Sequence, residues 1–366
     1  MEKKMHIAMS IGSLTKGGAE RVMVNLAEYF VSKGHQVTIV TQYRKENEYT
    51  ISSGIKRVIS DIEGDEISGN RLVNFVRRFR KLRGIWKSEK PDLILSFIGK
   101  NNMMAILTSM GLSVPVAVSV RGEPREEYYN NFLRLAAKVL FGFADGVILQ
   151  TRRCFDFFPK RVKRRAVILH NPVSAAFFRD RYEGERDKTI VAVGRVDNNK
   201  NHEMLIRAFA DLSADFPEYQ VIIYGEGPER QRLLKLVDEL ELTGKISLPG
   251  SIDHVSDAIY KSEVFVLTSN TEGVPNTLIE AMLMGLCVLS TDCPCGGPAD
   301  LVKHGEDGLL FGVGDTAELK EQLKLVLENR ELRERLGKNA TAIGEVFAPD
   351  KVYGEWEAFF RKLCGK

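Results

Sequence analysis

Cysteine is scarce in this 366-residue sequence, and its spacing predicts neither a disulfide framework nor a zinc site. The five cysteines are Cys154, Cys287, Cys293, Cys295 and Cys364. Cys293 and Cys295 lie close together but have no second pair at metal-ligand spacing, so no metal is expected there. Scattered, unpaired cysteines are typical of proteins in the reducing cytoplasm, which is the predicted location.

The sequence also lacks an apolar run suited to crossing a membrane. One uncharged stretch, 101–120, contains Asn101, Asn102, Gly111 and Pro115, and therefore predicts a helix followed by a strand. The N-terminal segment passes through two lysines directly into a short strand, so no secretory signal is expected.

A third absence concerns the nicotinamide-binding fingerprint. The chain begins with a strand, a glycine-containing loop, a helix and a second strand, but Gly12, Gly17 and Gly18 do not follow the spacing G-x-G-x-x-G. Thr41 and Gln42 stand where an acidic residue would end the second strand. A NAD-dependent enzyme is therefore disfavoured. The Gly17-Gly18 pair still allows close backbone approach to a ligand at a helix start.

Length and charge both favour two domains. The chain is longer than one ordinary core supports. Residues 1–180 hold 30 Lys and Arg against 17 Asp and Glu, a net charge of +13, and residues 181–366 hold 22 against 32, a net charge of −10. These values give the overall charge of +3. The basic first half is expected to face something anionic.

A helix with a basic face is predicted over residues 71–90. Its apolar stripe is Leu72, Phe75, Val76, Phe79, Leu82 and Trp86, and its basic face is Arg77, Arg78, Arg80, Lys81 and Arg83. A second basic cluster lies at Lys160, Arg161, Lys163, Arg164 and Arg165. Two interpretations stay open: a helix packed on a sheet with a solvated basic face, or a helix whose charged face also contacts anionic lipid. The aromatic residues lie on the apolar stripe, which disfavours nucleic-acid binding.

Two cations stand at the start of a predicted helix in the second half. Arg195 and Lys200 follow an apolar strand and precede a helix that begins near Asn201. Positive side chains oppose the helix dipole at this end unless an anion is bound there. The pair therefore points to a diphosphate site, with two solvated surface cations as the alternative.

The stretch 270–290 combines a polar loop, a helix and a strand. The helix is expected to start near Pro275 and to end at Gly285. Glu272 lies on the loop and Glu280 inside the helix. The backbone N–H groups at the helix start, at Asn276, Thr277 and Leu278, are expected to be free to hold an anion beside the two carboxylates. A ligand with phosphates and sugar hydroxyls suits this arrangement, whereas ordinary helix capping is the alternative.

Several of these segments resemble motifs of the retaining glycosyltransferases of family four, which have the GT-B fold. The chain carries, in the order of the family, G-G-A-E-R at 17–21, H-N-P-V at 170–173, G-R-x(4)-K at 194–200, G-x-G-P at 225–228, E-x(7)-E at 272–280 and a G-G-P turn at 296–298. The resemblance covers nearly the whole chain. It implies an α/β fold of two Rossmann-like domains whose parallel sheets face a cleft.

The resemblance also implies a domain plan. Residues 1–180 would form an acceptor-binding domain and residues 181–348 a nucleotide-sugar-binding domain. The C-terminal helix, 349–366, would pack back on the first domain.

Site residues follow from the same motifs. Glu272, Arg195 and Lys200 would be catalytic: the cations stabilise the diphosphate, and Glu272 binds sugar hydroxyls and favours a cationic ring. Glu280 would accept from the ribose. The full donor-binding set would be Gly17, Gly18, Arg195, Lys200, Gly225, Gly227, Pro249, Glu272, Gly273, Asn276, Thr277, Leu278 and Glu280. Many relatives place a histidine after the strand at 116–120, where this chain has Arg121 and Glu123 as expected acceptor-binding residues.

The implied reaction moves a hexose or N-acetylhexosamine from a UDP-sugar to a glycan acceptor with retention of anomeric configuration. The T-D-C-P-C-G-G-P-A-D-L and S-V-R-x-x-P segments look like those of bacterial enzymes that extend lipid-linked polysaccharides, such as lipopolysaccharide or capsule. A polyprenyl-pyrophosphate-linked acceptor is therefore expected, although a non-lipid glycan stays open. No residue is an obvious covalent nucleophile, which favours front-face attack.

Further expectations concern cofactors and partners. No cofactor or metal is expected, because no D-x-D motif is evident and cations can neutralise the diphosphate. The basic domain is expected to associate peripherally with the anionic inner face of the cell membrane. The competing prediction is a nucleotide-sugar epimerase of GT-B fold, which would need a base near C2 of the sugar and no acceptor.

Overall fold

A computed structural model describes residues 3–365, apart from the side chain of Asp65. The chain divides into two compact units. The first comprises Met1–Pro172 and Pro349–Lys366, and the second comprises Val173–Ala348.

A seven-stranded parallel sheet forms the centre of the first unit. Its strands are β1 (His6–Ile11), β2 (Gln36–Thr41), β3 (Ile55–Ile59), β4 (Leu93–Phe97), β5 (Val116–Ser119), β6 (Gly146–Leu149) and β7 (Ala166–Ile168). The strand order is β3-β2-β1-β4-β5-β6-β7. The central strands are apolar along nearly their whole length, as expected for a parallel sheet covered on both faces.

Helices cover this sheet. They are α1 (Gly18–Ser32), α2 (Arg71–Glu89), α3 (Gly99–Ser109), α4 (Pro124–Glu127), α5 (Asn131–Leu140) and α6 (Lys160–Lys163). Short 3-10 turns lie at Gly64–Glu66, Phe141–Phe143 and Arg153–Phe157. The apolar face of α1 is buried at Val22, Leu26 and Phe30, which pack on the strand side chains.

A six-stranded parallel sheet forms the centre of the second unit. Its strands are β8 (Asp187–Val193), β9 (Gln220–Tyr224), β10 (Ile246–Gly250), β11 (Ser262–Leu267), β12 (Cys287–Thr291) and β13 (Leu309–Phe311). Their order is β10-β9-β8-β11-β12-β13. The first strand is thus central, and the winding reverses between β8 and β11.

The helices of the second unit alternate with its strands. They are α7 (His202–Ala210), α8 (Arg230–Glu239), α9 (Val255–Ile259), α10 (Asn276–Leu283), α11 (Gly297–Leu301), α12 (Thr316–Glu328), α13 (Arg330–Ala340) and α14 (Ile343–Phe347). A 3-10 turn at Ala175–Phe177 opens the unit. Two Rossmann-like domains with parallel sheets confirm the predicted α/β fold class.

The chain enters the second unit between Pro172 and Val173, not between residues 180 and 181 as predicted. Val173 and Phe177 are buried in the apolar core of the second unit, which assigns this segment to it. Helix α15 (Pro349–Cys364) belongs to the first unit, where the Trp356 indole N–H donates to the His170 carbonyl at 2.8 Å.

Helix α2 differs from its predicted packing. Leu82 and Trp86 are buried as expected, but the N-terminal half of the stripe is exposed, with Leu72 at 70%. The sequence period places these residues on one face, and only the neighbouring elements determine how much of that face is covered.

The basic face of α2 is partly used within the unit. Arg78 pairs with Asp61 at 2.6 Å, and Arg83 donates to the carbonyl of Thr108 at 2.7 Å. Within the described residues, none of the helices is both long and apolar enough to cross a bilayer.

Candidate active site

The candidate site of the second unit lies where the winding of its sheet reverses. Strands β8 and β11 are neighbours in the sheet. From β8 the chain continues to β9 on one side of this pair, and from β11 it continues to β12 on the other side. In open α/β sheets this position leaves a crevice at the carboxyl ends of the strands, where ligands bind. The loop after β8 carries Arg195 and Lys200, and the loop after β11 carries Glu272.

These two loops are held together by a set of hydrogen bonds around Asn199. Its side-chain amide donates to the carbonyl of Thr271 at 3.0 Å, and its side-chain oxygen accepts from the Thr271 backbone at 3.1 Å. The Asn270 N–H donates to the Asn199 carbonyl at 2.8 Å. The Thr268 hydroxyl donates to the Lys200 carbonyl at 2.8 Å. The predicted diphosphate loop and the E-x(7)-E loop are therefore one hydrogen-bonded substructure.

The structure brings together two of the three predicted catalytic side chains. Lys200 Nζ lies 2.5 Å from Glu272 Oε1, and the two side chains are only 15% and 14% exposed. Arg195 lies on the same loop, 66% exposed, with its guanidinium 3.0 Å from Asp197 Oδ2. Asp197 also accepts from the Lys200 backbone at 3.0 Å. The site thus offers one exposed cation and one enclosed cation that is neutralised by a carboxylate.

The helix that follows, α10, starts as predicted, with Pro275 at its N-cap and no side chain capping it. One part of the prediction is wrong: the Leu278 N–H is not free, because it donates to the Pro275 carbonyl at 3.1 Å. A tight first turn explains this, since an i→i+3 bond satisfies a donor that an ideal α-helix leaves open. Leu278 itself is fully buried in the core.

Polar groups remain at the start of α10. The Thr277 hydroxyl is buried and has no hydrogen-bond partner among the described residues. Glu280 is 2% exposed on the same helix, and Gly285 ends the helix with a left-handed φ of +69°, as predicted. The eight-residue spacing of the two glutamates therefore separates a loop carboxylate from a buried helix carboxylate.

The predicted donor-binding glycines allow loops to pack closely. A Cβ at Gly225 would overlap the carbonyl of Gly194, and a Cβ at Gly227 would overlap the carbonyl of Val196. A Cβ at Gly297 would likewise overlap the carbonyl of Gly273. These glycines shape the crevice by fixing its loops. Direct contact of Gly225, Gly227 and Gly273 with a donor stays a prediction.

The remaining predicted residues of this unit lie nearby. Pro249 is exposed in β10, next to Gly250, whose carbonyl accepts from the Gly225 N–H at 2.9 Å.

Cys293 is buried, and burial, followed by the nearby Glu272 carboxylate, raises the pKa of its thiol to about 12. Within the described part of the chain, no group of three or more His, Cys, Asp or Glu could hold a metal ion.

One residue of the second unit was missed by the sequence interpretation. His202, the first residue of α7, is buried directly behind the cation loop. Burial, followed by the charge of Lys200, lowers the pKa of His202 to about 4. A neutral histidine beside Lys200 adds no third positive charge at neutral pH.

In the first unit, Gly17 and Gly18 lie at the N-cap and first residue of α1. A Cβ at Gly17 would overlap the Glu20 carboxylate, so this side chain folds back over the helix start. A carboxylate in this place compensates the helix dipole. An incoming anion would have to displace it, and the predicted donor contact of Gly17 and Gly18 stays a prediction.

Arg121 and Glu123 lie on the loop after β5. The Arg121 guanidinium stacks 4.6 Å from the centre of the Phe97 ring and donates to Asn171 Oδ1 at 2.5 Å. Burial lowers the pKa of Arg121 to about 9, and its Nε and Nη1 have no hydrogen-bond partner among the described residues. Glu123 caps α4 by accepting from the Arg125 N–H at 3.2 Å. Acceptor binding by Arg121 and Glu123 stays a prediction.

Glu127 was also missed. Its carboxylate accepts from the backbone N–H groups of Gly99 at 2.9 Å, Arg121 at 2.7 Å and Gly122 at 2.9 Å. Burial raises the pKa of Glu127, while the three amides and Arg121 lower it. One side chain therefore joins the loops after β4 and β5.

The chain matches two family models, which together span most of its length. Residues 16–177 match the model described as Glycosyltransferase Family 4, and residues 174–342 match the model described as Glycosyl transferases group 1.

A full-length relative is known in Campylobacter jejuni. It is named "GalNAc-alpha-(1->4)-GalNAc-alpha-(1->3)-diNAcBac-PP-undecaprenol alpha-1,4-N-acetyl-D-galactosaminyltransferase". The identity is 30% over 361 residues, covering 96% of this chain and 97% of the relative.

Solved structures agree on the fold. The sucrose-phosphate synthase of Thermosynechococcus elongatus superposes with a TM-score of 0.82 at 18% identity, covering 98% of this chain and 99% of that one. Anabaena Alr3699/HepE, solved in complex with UDP and glucose, has a TM-score of 0.79 at 17% identity, covering 97% and 98%. The competing prediction of an epimerase gains no support from these comparisons. The chain is a glycosyltransferase of family 4 with the GT-B fold.

Proposed function

We propose that this glycosyltransferase moves an N-acetylhexosamine or hexose from a UDP-sugar to a glycan carried on a polyprenyl diphosphate. Transfer retains the anomeric configuration and needs no metal ion. The observation that carries the proposal is the pairing of Lys200 with Glu272, with Arg195 on the same loop as Lys200, where the winding of the second sheet reverses. Cations and a carboxylate at this position match a ligand that has both phosphates and sugar hydroxyls.

The chemistry follows from charge. Breaking the bond between C1 of the sugar and the diphosphate oxygen develops negative charge on the phosphate and positive charge on the ring. Arg195 and Lys200 stabilise the leaving diphosphate, and Glu272 favours the cationic ring. The acceptor hydroxyl bonds to C1 from the face that the diphosphate leaves, and its proton passes to the departing phosphate oxygen.

The substrate classes draw support from relatives. The Campylobacter relative is named as an N-acetyl-D-galactosaminyltransferase that uses an undecaprenol-linked diphosphate glycan, and the Anabaena protein binds UDP and glucose. The same classes suit this chain, because its second unit has the diphosphate-type cations and its first unit is strongly basic. The place of action would be the cytoplasmic face of the membrane.

Peripheral association with anionic membranes is part of the proposal. Arg80 of α2, together with Lys160 and Arg164, is exposed and can meet lipid phosphates. Arg78 and Arg83 contribute less than the sequence suggested, since both bind groups of their own unit. At low salt, the protein should sediment with anionic vesicles and not with neutral ones. Equal binding to both would contradict this part.

The experiment that tests the donor is a hydrolysis and binding panel of UDP-, GDP- and ADP-sugars with and without EDTA. Slow hydrolysis of one UDP-sugar, at the same rate with chelator, is the expected result. Loss of hydrolysis with EDTA and its recovery with a divalent ion would refute metal independence. Binding of no nucleotide sugar would refute the assignment of Arg195, Lys200 and Glu272.

A further inference from the structure

The first unit contains an amphipathic cavity of about 480 Å³ between α2, α3 and α5. This volume lies within the range of about 300–1,000 Å³ that is typical of sites for small organic ligands. Its apolar wall consists of Ile11, Phe75, Leu82, Met103, Met104, Leu107, Phe132, Leu133, Ala136 and Leu140. Its polar end consists of Ser10, Gln42, Ser60, Lys100 and Asn101, with Arg71 and Arg78.

The polar end lies where the winding of the first sheet reverses. β1 and β4 are neighbours in the strand order, and the cavity is lined by Ser10 at the end of β1 and by Lys100 just after β4. The turn that delivers Lys100 is strained, because Ile98, a β-branched residue, has a φ of +70°. Strain of this kind is found where the surrounding fold fixes a functional geometry.

The charge of the cavity is of one sign. Among the described residues that line it, three are cations and none is acidic. Arg78 is already paired with Asp61 at 2.6 Å, which leaves Arg71 and Lys100 as the cations that face the cavity without an acidic neighbour in its wall. Lys100 is held beside the Tyr129 hydroxyl at 3.3 Å. An anionic group is the complement to this end.

The cavity opens to the surface beside two aromatic side chains. Phe75 and Phe132 line the cavity and are 45% and 78% exposed, which places them at its mouth. Leu72 on α2 and Leu135 on α5 extend the exposed apolar surface around them. Contiguous exposed apolar surface on a soluble-type fold marks an interaction site. A hydrocarbon chain can pass from this surface into the cavity without crossing water.

We propose that the cavity holds the first hydrocarbon segment of a phosphate-bearing lipid, with Lys100 and Arg71 contacting its phosphate. This rests on the proposed function, because the lipid is the carrier of the acceptor glycan. The occupant is a lipid and not a peptide, since the described lining residues combine a large apolar wall with cations and include no acidic residue.

Binding of geranylgeranyl diphosphate, a short polyprenyl probe used below its micelle concentration, tests the proposal by calorimetry. We expect Ala136→Trp, which fills the cavity, to weaken binding at least tenfold. Phe132→Asp, at the exposed mouth, should weaken it similarly and is safe for folding. Asn131→Trp is the matched control, because this exposed polar residue lies on the same helix but outside both the cavity wall and the apolar surface around its mouth.

The head and the chain are separated by two further probes. Lys100→Ala should weaken binding of geranylgeranyl diphosphate but leave binding of geranylgeraniol unchanged. Inorganic diphosphate should bind the wild type at least tenfold more weakly than geranylgeranyl diphosphate does. Wild-type affinity in both Ala136→Trp and Phe132→Asp would overturn the proposal. So would equal affinity for inorganic diphosphate and the lipid, or a lipid-free dimer that Phe132→Asp dissociates.

The UDP-sugar panel is run on the same preparation, so that the two ideas fail separately. Lipid binding without hydrolysis of any UDP-sugar would refute the proposed function alone. Hydrolysis of a UDP-sugar without binding of geranylgeranyl diphosphate would refute the lipid site alone.

Discussion

Lys200 Nζ and Glu272 Oε1 lie 2.5 Å apart although 72 residues separate them in the chain. Each side chain is mostly enclosed, so the pair is worth more than a solvated surface ion pair and costs more to break. The ammonium group of Lys200 is thereby held beside the loop of Glu272. If the donor diphosphate binds Lys200 as proposed, it competes with Glu272 for the same ammonium group, and donor binding should be coupled to the release of Glu272.

Removing either cation should strongly slow transfer. We expect Lys200→Ala and Arg195→Ala to lower kcat/KM by about 10²–10³-fold, as the loss of a group that stabilises a developing charge does. Arg195→Ala should leave the thermal midpoint unchanged, because its side chain is 66% exposed. Lys200→Ala should lower the free energy of unfolding by about 1–3 kcal/mol, because Glu272 is left enclosed and unpaired.

The Lys188–Glu218 pair of the same unit supplies the control. It lies at 3.1 Å, about half exposed, at the opposite end of β8 from Arg195. Lys188→Ala should keep activity within twofold. Full activity in Lys200→Ala and Arg195→Ala, measured as transfer or donor hydrolysis, would refute the assignment of these cations to the diphosphate.

Glu272 can be tested for a role beyond holding Lys200. Glu272→Gln removes the charge but keeps the shape, so donor KM should change little while kcat falls about 100-fold, because the carboxylate acts on the cationic ring formed in the transition state. The double variant Lys200→Ala/Glu272→Gln should be little less active than the less active single variant, since the effects of substituting two groups in direct contact are not additive. Glu218→Gln is the matched control. A rise in KM with unchanged kcat would mean that Glu272 binds the ground state and the transition state equally.

The sequence predicted the elements of the second unit better than the contacts among them. The start of α10 at Pro275 and its end at Gly285 are local signals, a proline at the cap and a glycine with positive φ, and both are confirmed. The pairing of Lys200 with Glu272 could not be read, because it depends on loops joined through Asn199. The bond of the Leu278 N–H to Pro275 is a detail of turn tightness that residue types do not determine.

The first unit shows a related limit. The helical period of α2 predicted its apolar stripe, but the exposure of Leu72 depends on which neighbouring elements cover that face. Glu127 was invisible as a linking residue, since one of its amide donors lies 28 residues away at Gly99. Tertiary partners, not propensities, decide both cases.

Glu127 should position the loops that carry Lys100 and Arg121. Glu127→Gln replaces one acceptor oxygen by an amide NH2 group, which is itself a donor and faces backbone N–H donors. The free energy of unfolding of the first unit should fall by about 1–3 kcal/mol. Fluorescence of Trp86 and Trp356, both buried in this unit, reports its unfolding in urea. Acceptor KM should rise while donor hydrolysis is retained. Asp156→Asn, an exposed acidic residue of the same unit, is the control.

An unchanged urea midpoint in Glu127→Gln would show that the three amides are satisfied without the carboxylate. A fall in donor hydrolysis equal to the fall in transfer would contradict a role restricted to the first unit.

His202 should make the second unit sensitive to acid. Its pKa is lowered from 6.5 to about 4 in the folded state, chiefly by burial, so the unfolded chain takes up a proton first as pH falls. Stability is therefore fully present above about pH 6.5 and declines towards pH 4, by about 2 kcal/mol at pH 5.

Because both tryptophans lie in the first unit, hydrogen exchange of the amides in β8 and α7, corrected for intrinsic rates, is the suitable measurement. His202→Gln should flatten this decline between pH 7 and pH 5, whereas His254→Gln, at an exposed histidine of the same unit, should not. The same decline in wild type and His202→Gln would mean that other groups cause the acid sensitivity and that His202 is protonated without cost.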